Sequence, residues 1–285
     1  MQARRIEVNG IVLQVEDHDH EGDAIIFLHF SGANLMMWQR AVPYFENRYR
    51  LILVDLRGHG KSDKPPAGYE LDTMARDVVG IVQHLGIDRA CIVGSSLGAE
   101  VGLSVAANYP EKVISLVCEG AVYSEYGPHG VWEGSERGFK DYVTRQLEGI
   151  RISEEPLFPS VDALVKDRRE LYEKYGWWNA YVEAMVRYGA YEVSEGAYAR
   201  GFSKRAMEAY LKHYFHCRFE DYYRRVTCPL LILLGEGELE TEREKAAMKG
   251  LSSLARQAHI VALRGWVHPY GWLLDPEVAI TAIAD

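Results

Sequence analysis

The chain has 285 residues, of which 48% are hydrophobic and 26% charged, a composition typical of a protein with one large buried core. Its net charge of −9 at pH 7 disfavours nucleic acids and anionic lipid surfaces as partners, because both would repel it. No apolar run is long enough to cross a bilayer and no export signal is evident, so we expect a cytoplasmic protein without membrane insertion.

Short apolar runs alternate with amphipathic stretches over residues 25–121, which is typical of a mostly parallel sheet with helices on both faces. Before them, two strands joined at Asn9-Gly10 are predicted to form a hairpin. The predicted strands of this half cover residues 6–8, 11–16, 25–29, 51–55, 90–94 and 113–119, and the predicted helices cover residues 35–45, 71–85 and 97–108. The fold class indicated is therefore α/β.

Residues 122–226 lack β-branched runs and are crowded with Tyr, Trp, Arg and Glu, so they predict an inserted helical cap. Within it we expect Ser160 and Ser203 as helix N-caps, Gly176 and Gly189 as helix ends, and several aromatic side chains lining a pocket. The strand and helix pattern then resumes, with strands over 230–235 and 259–263 and helices over 241–251 and 276–284. The expected domains are a core of residues 1–121 and 227–285 and a cap of residues 122–226.

The pentapeptide Gly94-Ser95-Ser96-Leu97-Gly98 lies between a predicted strand and a predicted helix. A serine at such a sharp turn projects its hydroxyl above the sheet edge in a strained backbone conformation, and the flanking glycines avoid collisions with neighbouring elements. The helix that follows also directs its free N–H groups towards whatever the hydroxyl attacks. Ser96 is therefore the candidate nucleophile.

The order of these elements resembles that of the α/β-hydrolase fold family over essentially the whole chain. Three further segments are similar to motifs of that family: Leu28-His29-Phe30-Ser31-Gly32 to its oxyanion loop, residues 55–62 to its D-x-R-G-x-G-x-S loop, and Gly265-Trp266-Val267-His268 to the loop that carries its histidine. The resemblance implies an eight-stranded, mostly parallel sheet with helices on both faces and a catalytic triad.

A serine hydroxyl needs a base whose pKa is near the working pH, and imidazole meets that need. By the resemblance the base is His268, which follows the last predicted strand. The acid is open between two glutamates. Glu238 stands where the family usually has Asp after strand 230–234, whereas Glu119 matches relatives that carry the acid after the sixth strand.

The resemblance also implies an oxyanion hole made by two backbone amides, those of Leu97 and Ser31. Phe30 departs from the family pattern, because a glycine usually follows the histidine of this loop. That histidine, His29, is expected to have a structural role, as is Asp55 in the loop after the next strand.

No cofactor or metal is expected. His18 and His20 lie in an acidic turn, which is interpreted as a solvated loop because no paired His spacing supports a metal site. Serine at the elbow argues against dehalogenases and epoxide hydrolases of this fold, which use Asp there. The favoured function is a carboxylesterase acting on small, apolar esters as its small-molecule partner. A C–C bond hydrolase, thioesterase or lactonase with the same triad, a non-enzymatic ligand receptor, and a homodimer are left open.

Overall fold

The apolar runs form one eight-stranded sheet in the computed structural model, which describes residues 1–120, 122–235 and 237–284. The strands are β1 (Gln2–Val8), β2 (Ile11–His18), β3 (Ala24–Leu28), β4 (Arg50–Val54), β5 (Ala90–Ser95), β6 (Val113–Glu119), β7 (Tyr191–Ser194), β8 (Ala197–Ala199), β9 (Leu230–Leu234) and β10 (Ala258–Ala262). The large sheet has the order β1-β2-β4-β3-β5-β6-β9-β10. Its β1–β2 and β2–β4 pairs are antiparallel and its other described pairs are parallel, which confirms the predicted fold class.

Helices cover both faces of this sheet. They are α1 (Val42–Phe45), α2 (Leu71–His84), α3 (Leu97–Asn108), α4 (Glu136–Ile152), α5 (Val161–Glu173), α6 (Ala180–Gly189), α7 (Lys204–Tyr214), α8 (Phe219–Tyr223), α9 (Glu242–Ser252), α10 (Gly271–Leu274) and α11 (Pro276–Ala284), with 3₁₀ turns at Leu35–Trp38 and Pro110–Lys112. The predicted helix over residues 35–45 is thus two short helices. Pro43 explains the break, because it has no N–H for Gln39 and its ring would crowd that carbonyl.

Two apolar clusters lie on opposite faces of the sheet, and β3 shows how the sequence divides between them. Its residues Ile26 and Leu28 belong to one cluster together with α2 and α3, whereas Ile25 and Phe27 belong to the other with the C-terminal helices. Successive side chains of a strand point to opposite faces, so a continuous apolar run is what a sheet buried on both sides requires.

Between β6 and β9 the chain forms helices α4 to α8 and the small antiparallel hairpin β7–β8. The predicted N-caps are confirmed: Ser160 Oγ accepts from the Ala163 amide and Ser203 Oγ from the Ala206 amide. The hairpin was not predicted, because its strands contain a single β-branched residue, Val193.

The division into core and cap stays a prediction. Aromatic residues of α7 and α8 share one buried cluster with α3, so this part of the predicted cap packs as a continuation of the core. Ala121 and Asp285, where the two predicted core segments end, lie outside the described residues. In the described ranges no helix is both long and apolar enough to span a membrane.

A buried ion pair ties the loop after β4 to α2. Arg57 Nε lies 2.6 Å from Asp77 Oδ2 and its Nη2 lies 2.7 Å from Oδ1, and the Asn9 side chain also donates to that carboxylate. The two side chains are 5% and 2% exposed. Removal of one partner would leave a buried charge without its counter-ion.

We therefore expect Arg57→Met to lower the free energy of unfolding by about 3 to 5 kcal/mol, measured by urea denaturation. Arg187→Met is the matched control, because its guanidinium is 43% exposed and pairs with Asp162 and Glu183. That control should change stability by about 1 kcal/mol or less. Equal losses in the two variants would contradict the importance of burial.

Candidate active site

Ser96 lies at the turn between β5 and α3, in a backbone conformation that residues other than glycine rarely adopt. Its φ is 51° and its ψ is −117°, and its amide donates to the Glu119 carbonyl at 2.8 Å. A methyl group on Gly98 would collide with the Leu28 carbonyl, and one on Gly94 would collide with the carbonyl of Gly98. Both glycines are therefore required by close backbone approach, and the strain at Ser96 is maintained by its surroundings.

Glu119, the last residue of β6, has a fully buried carboxylate that accepts four hydrogen bonds. Its Oε1 lies 2.6 Å from His268 Nδ1 and 2.8 Å from Trp266 Nε1. Its Oε2 accepts from Ser95 Oγ at 2.5 Å and from Trp272 Nε1 at 3.2 Å. A buried charge is tolerated only when hydrogen-bond donors of the protein replace its hydration, and here each carboxylate oxygen has two such donors.

Glu238, the other candidate acid, is close to the same imidazole but outside hydrogen-bond distance. Its Oε1 lies 3.8 Å from His268 Nδ1, whereas its Oε2 accepts from the Gly235 amide of its own loop. The geometry therefore favours Glu119 as the residue that orients His268. Glu238 contributes a second negative charge near the ring.

His268 lies in the loop after β10 with its ring against Gly120, the residue that follows Glu119. Because carboxylates only accept, Nδ1 carries the proton of this pair, which leaves the lone pair on Nε2. Burial alone would lower the pKa of His268, but the charge and hydrogen bond of Glu119 raise it above its usual value. Burial would likewise raise the pKa of Glu119, yet the charge of His268 and the donated hydrogen bonds bring it below its usual value.

The two expected oxyanion donors lie at this end of the sheet. Leu97 is the first residue of α3, and Ser31 follows directly after Phe30, whose ring packs edge-on against Tyr270 at 5.4 Å. Neither amide has a hydrogen-bond acceptor among the described residues. The hydroxyl of Ser31 is also buried and unpaired within those residues. Their assignment as the oxyanion hole stays a prediction.

His29 has both ring nitrogens engaged in structural hydrogen bonds. The Leu56 amide donates to Nε2 at 3.0 Å, so Nδ1 carries the proton and donates to the Phe30 carbonyl at 2.8 Å. Burial lowers the pKa of His29 to about 4. Asp55 is equally committed, since its carboxylate accepts from the amides of Leu35 and Lys61 and from the Tyr188 hydroxyl. These contacts agree with the structural roles expected for both residues.

A cavity of about 390 Å³ opens beside the site. Ser31, Phe30 and Tyr270 line it on the side of the sheet, and Arg168 and Arg200 line it on the side of the predicted cap. Tyr270 belongs to the loop that carries the imidazole, so the cavity borders the site rather than containing its serine and histidine. This position suits the part of a substrate that does not react.

Among the residues that the structure describes, Glu119, Glu238 and His268 form a group that could hold a metal, since their ligand atoms lie within 4.8 Å of one another. A metal ion on Nδ1 would have to displace the proton shared with Glu119, so the arrangement suits proton handling better. His18, expected in a solvated loop, is instead the last residue of β2, with its ring 3.7 Å from a Glu46 oxygen. The expected absence of a metal stays a prediction.

Sequence reasoning missed three residues that support the acid. The pentapeptide motif predicts no role for Ser95, and the resemblance implies none for Trp266 or Trp272. The signal that could have found them is burial: a carboxylate at the end of an apolar strand needs donors, and the tryptophan N–H groups in the histidine loop and in the short helix after it are suitable ones.

Three comparisons with known proteins bear on this arrangement. A family model described as alpha/beta hydrolase fold matches residues 23–239. The 2-(acetamidomethylene)succinate hydrolase of Mesorhizobium japonicum is 27% identical over 285 residues, which cover 99% of this chain and 94% of that protein. The crystal structure of an E-2-(acetamidomethylene)succinate hydrolase matches with a TM-score of 0.76 at 26% identity, covering 99% and 97% of the two chains. The 3-oxoadipate enol-lactonase 2 of Acinetobacter baylyi is 37% identical over 94 residues, 33% of this chain and 35% of that protein.

Gly120 should be essential for the position of the imidazole. A methyl group there would lie 2.5 Å from His268 Cε1 and 3.1 Å from Nδ1, so Gly120→Ala must displace the ring. We expect kcat for 4-nitrophenyl acetate to fall by about 10²-fold, the usual cost of a displacement near 1 Å. The control is Gly86→Ala, which also has a positive φ (66°, against 104° at Gly120) but nothing within 4 Å of the added methyl. A loss of activity as large in Gly86→Ala would show that backbone strain, not the ring, is responsible.

Glu119→Gln and Glu238→Gln should separate the two carboxylates. We expect Glu119→Gln to lower kcat on the order of 10⁴-fold, because the imidazole loses the negative charge that fixes its tautomer and stabilises its protonated form. In the unmodified protein, kcat/KM should rise with pH, and the midpoint of that rise should lie above pH 6.5. The reason is that His268 must be neutral to act as the base, and Glu119 raises its pKa. Loss of that charge should move the midpoint to lower pH.

Glu238→Gln is the control for the charge alone, and it should cause a smaller shift in the same direction with most of kcat retained. Measurement of kcat/KM between pH 5 and 9 distinguishes the two variants. A larger loss and a larger shift in Glu238→Gln would assign the acid to Glu238 instead.

Proposed function

This chain belongs to the alpha/beta hydrolase fold family, and we propose that it is a serine carboxylesterase that forms an acyl-enzyme at Ser96. The relatives reported above are named as a hydrolase and a lactonase, which supports hydrolase activity in general. That this chain cleaves an ester bond is our inference. The observation that carries the proposal is the hydrogen bond between the buried Glu119 carboxylate and the partly exposed His268 ring, next to the strained serine turn whose amide donates to Glu119.

The proposed reaction begins when Ser96 Oγ attacks the ester carbonyl and His268 Nε2 accepts its proton. Glu119 keeps its charge and stabilises the imidazolium that forms. The negative charge on the carbonyl oxygen is stabilised by the amides of Leu97 and Ser31. His268 then protonates the departing alcohol, and in the second half it takes a proton from the water that releases the acid.

Two features support an oxygen ester as the first substrate to test. Ser96 forms an acyl ester that water can hydrolyse, whereas an aspartate elbow would form an alkyl ester. His268, held by Glu119, acts first as the base for Ser96 and then as the acid for the leaving group, which is sufficient when the leaving group is an alcohol. Lactones, thioesters and C–C bonds next to a carbonyl could react through the same groups.

Amide hydrolysis is a second candidate, favoured by one comparison. The relative that aligns along 99% of this chain is named for a substrate with an acetamido group. An amine leaves only when protonated, and His268, whose pKa is raised by Glu119, is suited to donate that proton. Comparison of 4-nitrophenyl acetate with 4-nitroacetanilide separates the candidates, because the two share an acetyl group.

A fluorophosphonate probe should label the protein once per chain, at Ser96, as mapped by mass spectrometry of the peptides. Ser96→Ala should remove the label and lower kcat on the order of 10⁶-fold, because the triad acts as a unit. Ser95→Ala should keep most of its turnover, since three other donors remain on Glu119.

Labelling at another residue, or a loss of less than tenfold in Ser96→Ala, would refute the role of this serine. Stoichiometric binding of candidate ligands together with no labelling and no turnover would favour a receptor on the hydrolase fold.

A further inference from the structure

The cavity beside the site contains two arginines whose positive charges are only partly neutralised. Arg168 projects from α5 with a side chain 15% exposed, and both its Nε and its Nη2 donate to one oxygen of the adjacent Asp167. Its Nη1 has no hydrogen-bond partner among the described residues. One edge of the Arg168 guanidinium thus remains available to a ligand.

Arg200, directly after β8, faces the same cavity. Within the described ranges its guanidinium forms neither a hydrogen bond nor a salt bridge. Arg200 is solvent-exposed as a residue, but desolvation of its guanidinium, followed by the positive charge of Arg168, lowers its pKa. The charges of Asp167 and Glu155 act in the opposite direction and do not cancel this effect. Two guanidinium groups that repel each other without an anion between them are an energetic cost, which a bound anion would remove.

The other charged residues of this cavity are committed elsewhere. Lys204 Nζ donates to the carbonyls of Arg151 and Ser153 at 2.8 and 2.7 Å. Glu155 Oε1 accepts from the Lys204 amide at 3.2 Å, and both Glu155 and Glu154 are solvent-exposed. Among the described residues, neither glutamate forms a salt bridge with Arg168 or Arg200.

Apolar side chains, among them Leu164, Met185 and Met207, line the same cavity as the two arginines and the oxyanion loop. Ser31 lines it too, and its buried hydroxyl is unpaired within the described residues. A molecule that matches this lining has an apolar segment with a polar carbonyl group at one end and an anion at the other.

We propose that Arg168 and Arg200 bind a carboxylate of the substrate, so that the substrate is an ester of a molecule that also carries a free carboxylate. Planar guanidinium groups match a carboxylate with paired hydrogen bonds. The net charge of −9 would otherwise repel an anionic substrate, which makes a local cationic site necessary. The inference rests on the proposed function for the ester bond and for placing the reacting carbonyl near Ser31, whereas the carboxylate site itself rests on the two arginines.

The test measures binding to the Ser96→Ala protein by calorimetry, so that it does not depend on turnover. The probes are the monomethyl esters of succinate, glutarate and adipate, each compared with its neutral dimethyl ester. The best monomethyl ester should bind about 10- to 100-fold more tightly than its dimethyl counterpart, as expected for charge-assisted hydrogen bonds. Arg168→Gln and Arg200→Gln, each introduced into Ser96→Ala, should remove most of that preference.

Arg145→Gln is the matched control, because it removes an exposed cap guanidinium that does not line the cavity. The preference should survive in it. Arg200 is itself exposed, so its substitution should leave the fold intact even if Arg168→Gln unfolds.

Equal binding of the charged and neutral esters, a preference that persists in both arginine variants, or an equal loss in Arg145→Gln would overturn the proposal. Tight binding of inorganic phosphate without binding of any monomethyl ester would also overturn it. If the arginine-dependent preference is found in a protein that neither reacts with the fluorophosphonate nor hydrolyses esters, the carboxylate site stands and the esterase proposal fails.

Discussion

The buried carboxylate of Glu119 is the constraint on which the site depends. An ionised group at the end of an interior strand is stable only when protein donors replace its water, and four donors do so here. One comes from β5, two come from the loop after β10 and one comes from α10, so a single charge connects parts of the chain far apart in sequence. The position of the imidazole is a consequence of satisfying that charge.

The sheet order explains why a residue at the end of β6 can serve both the serine and the histidine. β6 lies between β5, which leads into the serine turn, and β9, which is followed by the loop of Glu238. The backbone carbonyl of Glu119, the last residue of β6, accepts from the Ser96 amide, while its carboxylate accepts from His268. The loop after β9 is close enough for Glu238 to influence the charge of the ring, but its carboxylate also holds its own loop through Gly235.

The sequence was sufficient for the elements whose cause is local. The eight strands, the serine turn and the N-caps at Ser160 and Ser203 follow from apolar runs, close-approach glycines and capping side chains, and the structure has them. The choice between Glu119 and Glu238 depends on a distance across two loops, which no local pattern contains. The β7–β8 hairpin is likewise stabilised by its surroundings, and Arg168 and Arg200, which are distant in sequence, line one cavity only in the folded chain.

The backbone of Ser96 has a thermodynamic consequence beyond its chemistry. A non-glycine residue at φ 51° is destabilised by roughly 1 to 3 kcal/mol, and glycine would adopt the same conformation freely. The fold would therefore gain stability from a glycine at this turn and lose its hydroxyl. The surrounding structure must therefore be rigid for function. If the end of β5 were more flexible, Ser96 would relax to an ordinary backbone conformation and its hydroxyl would no longer project towards the substrate.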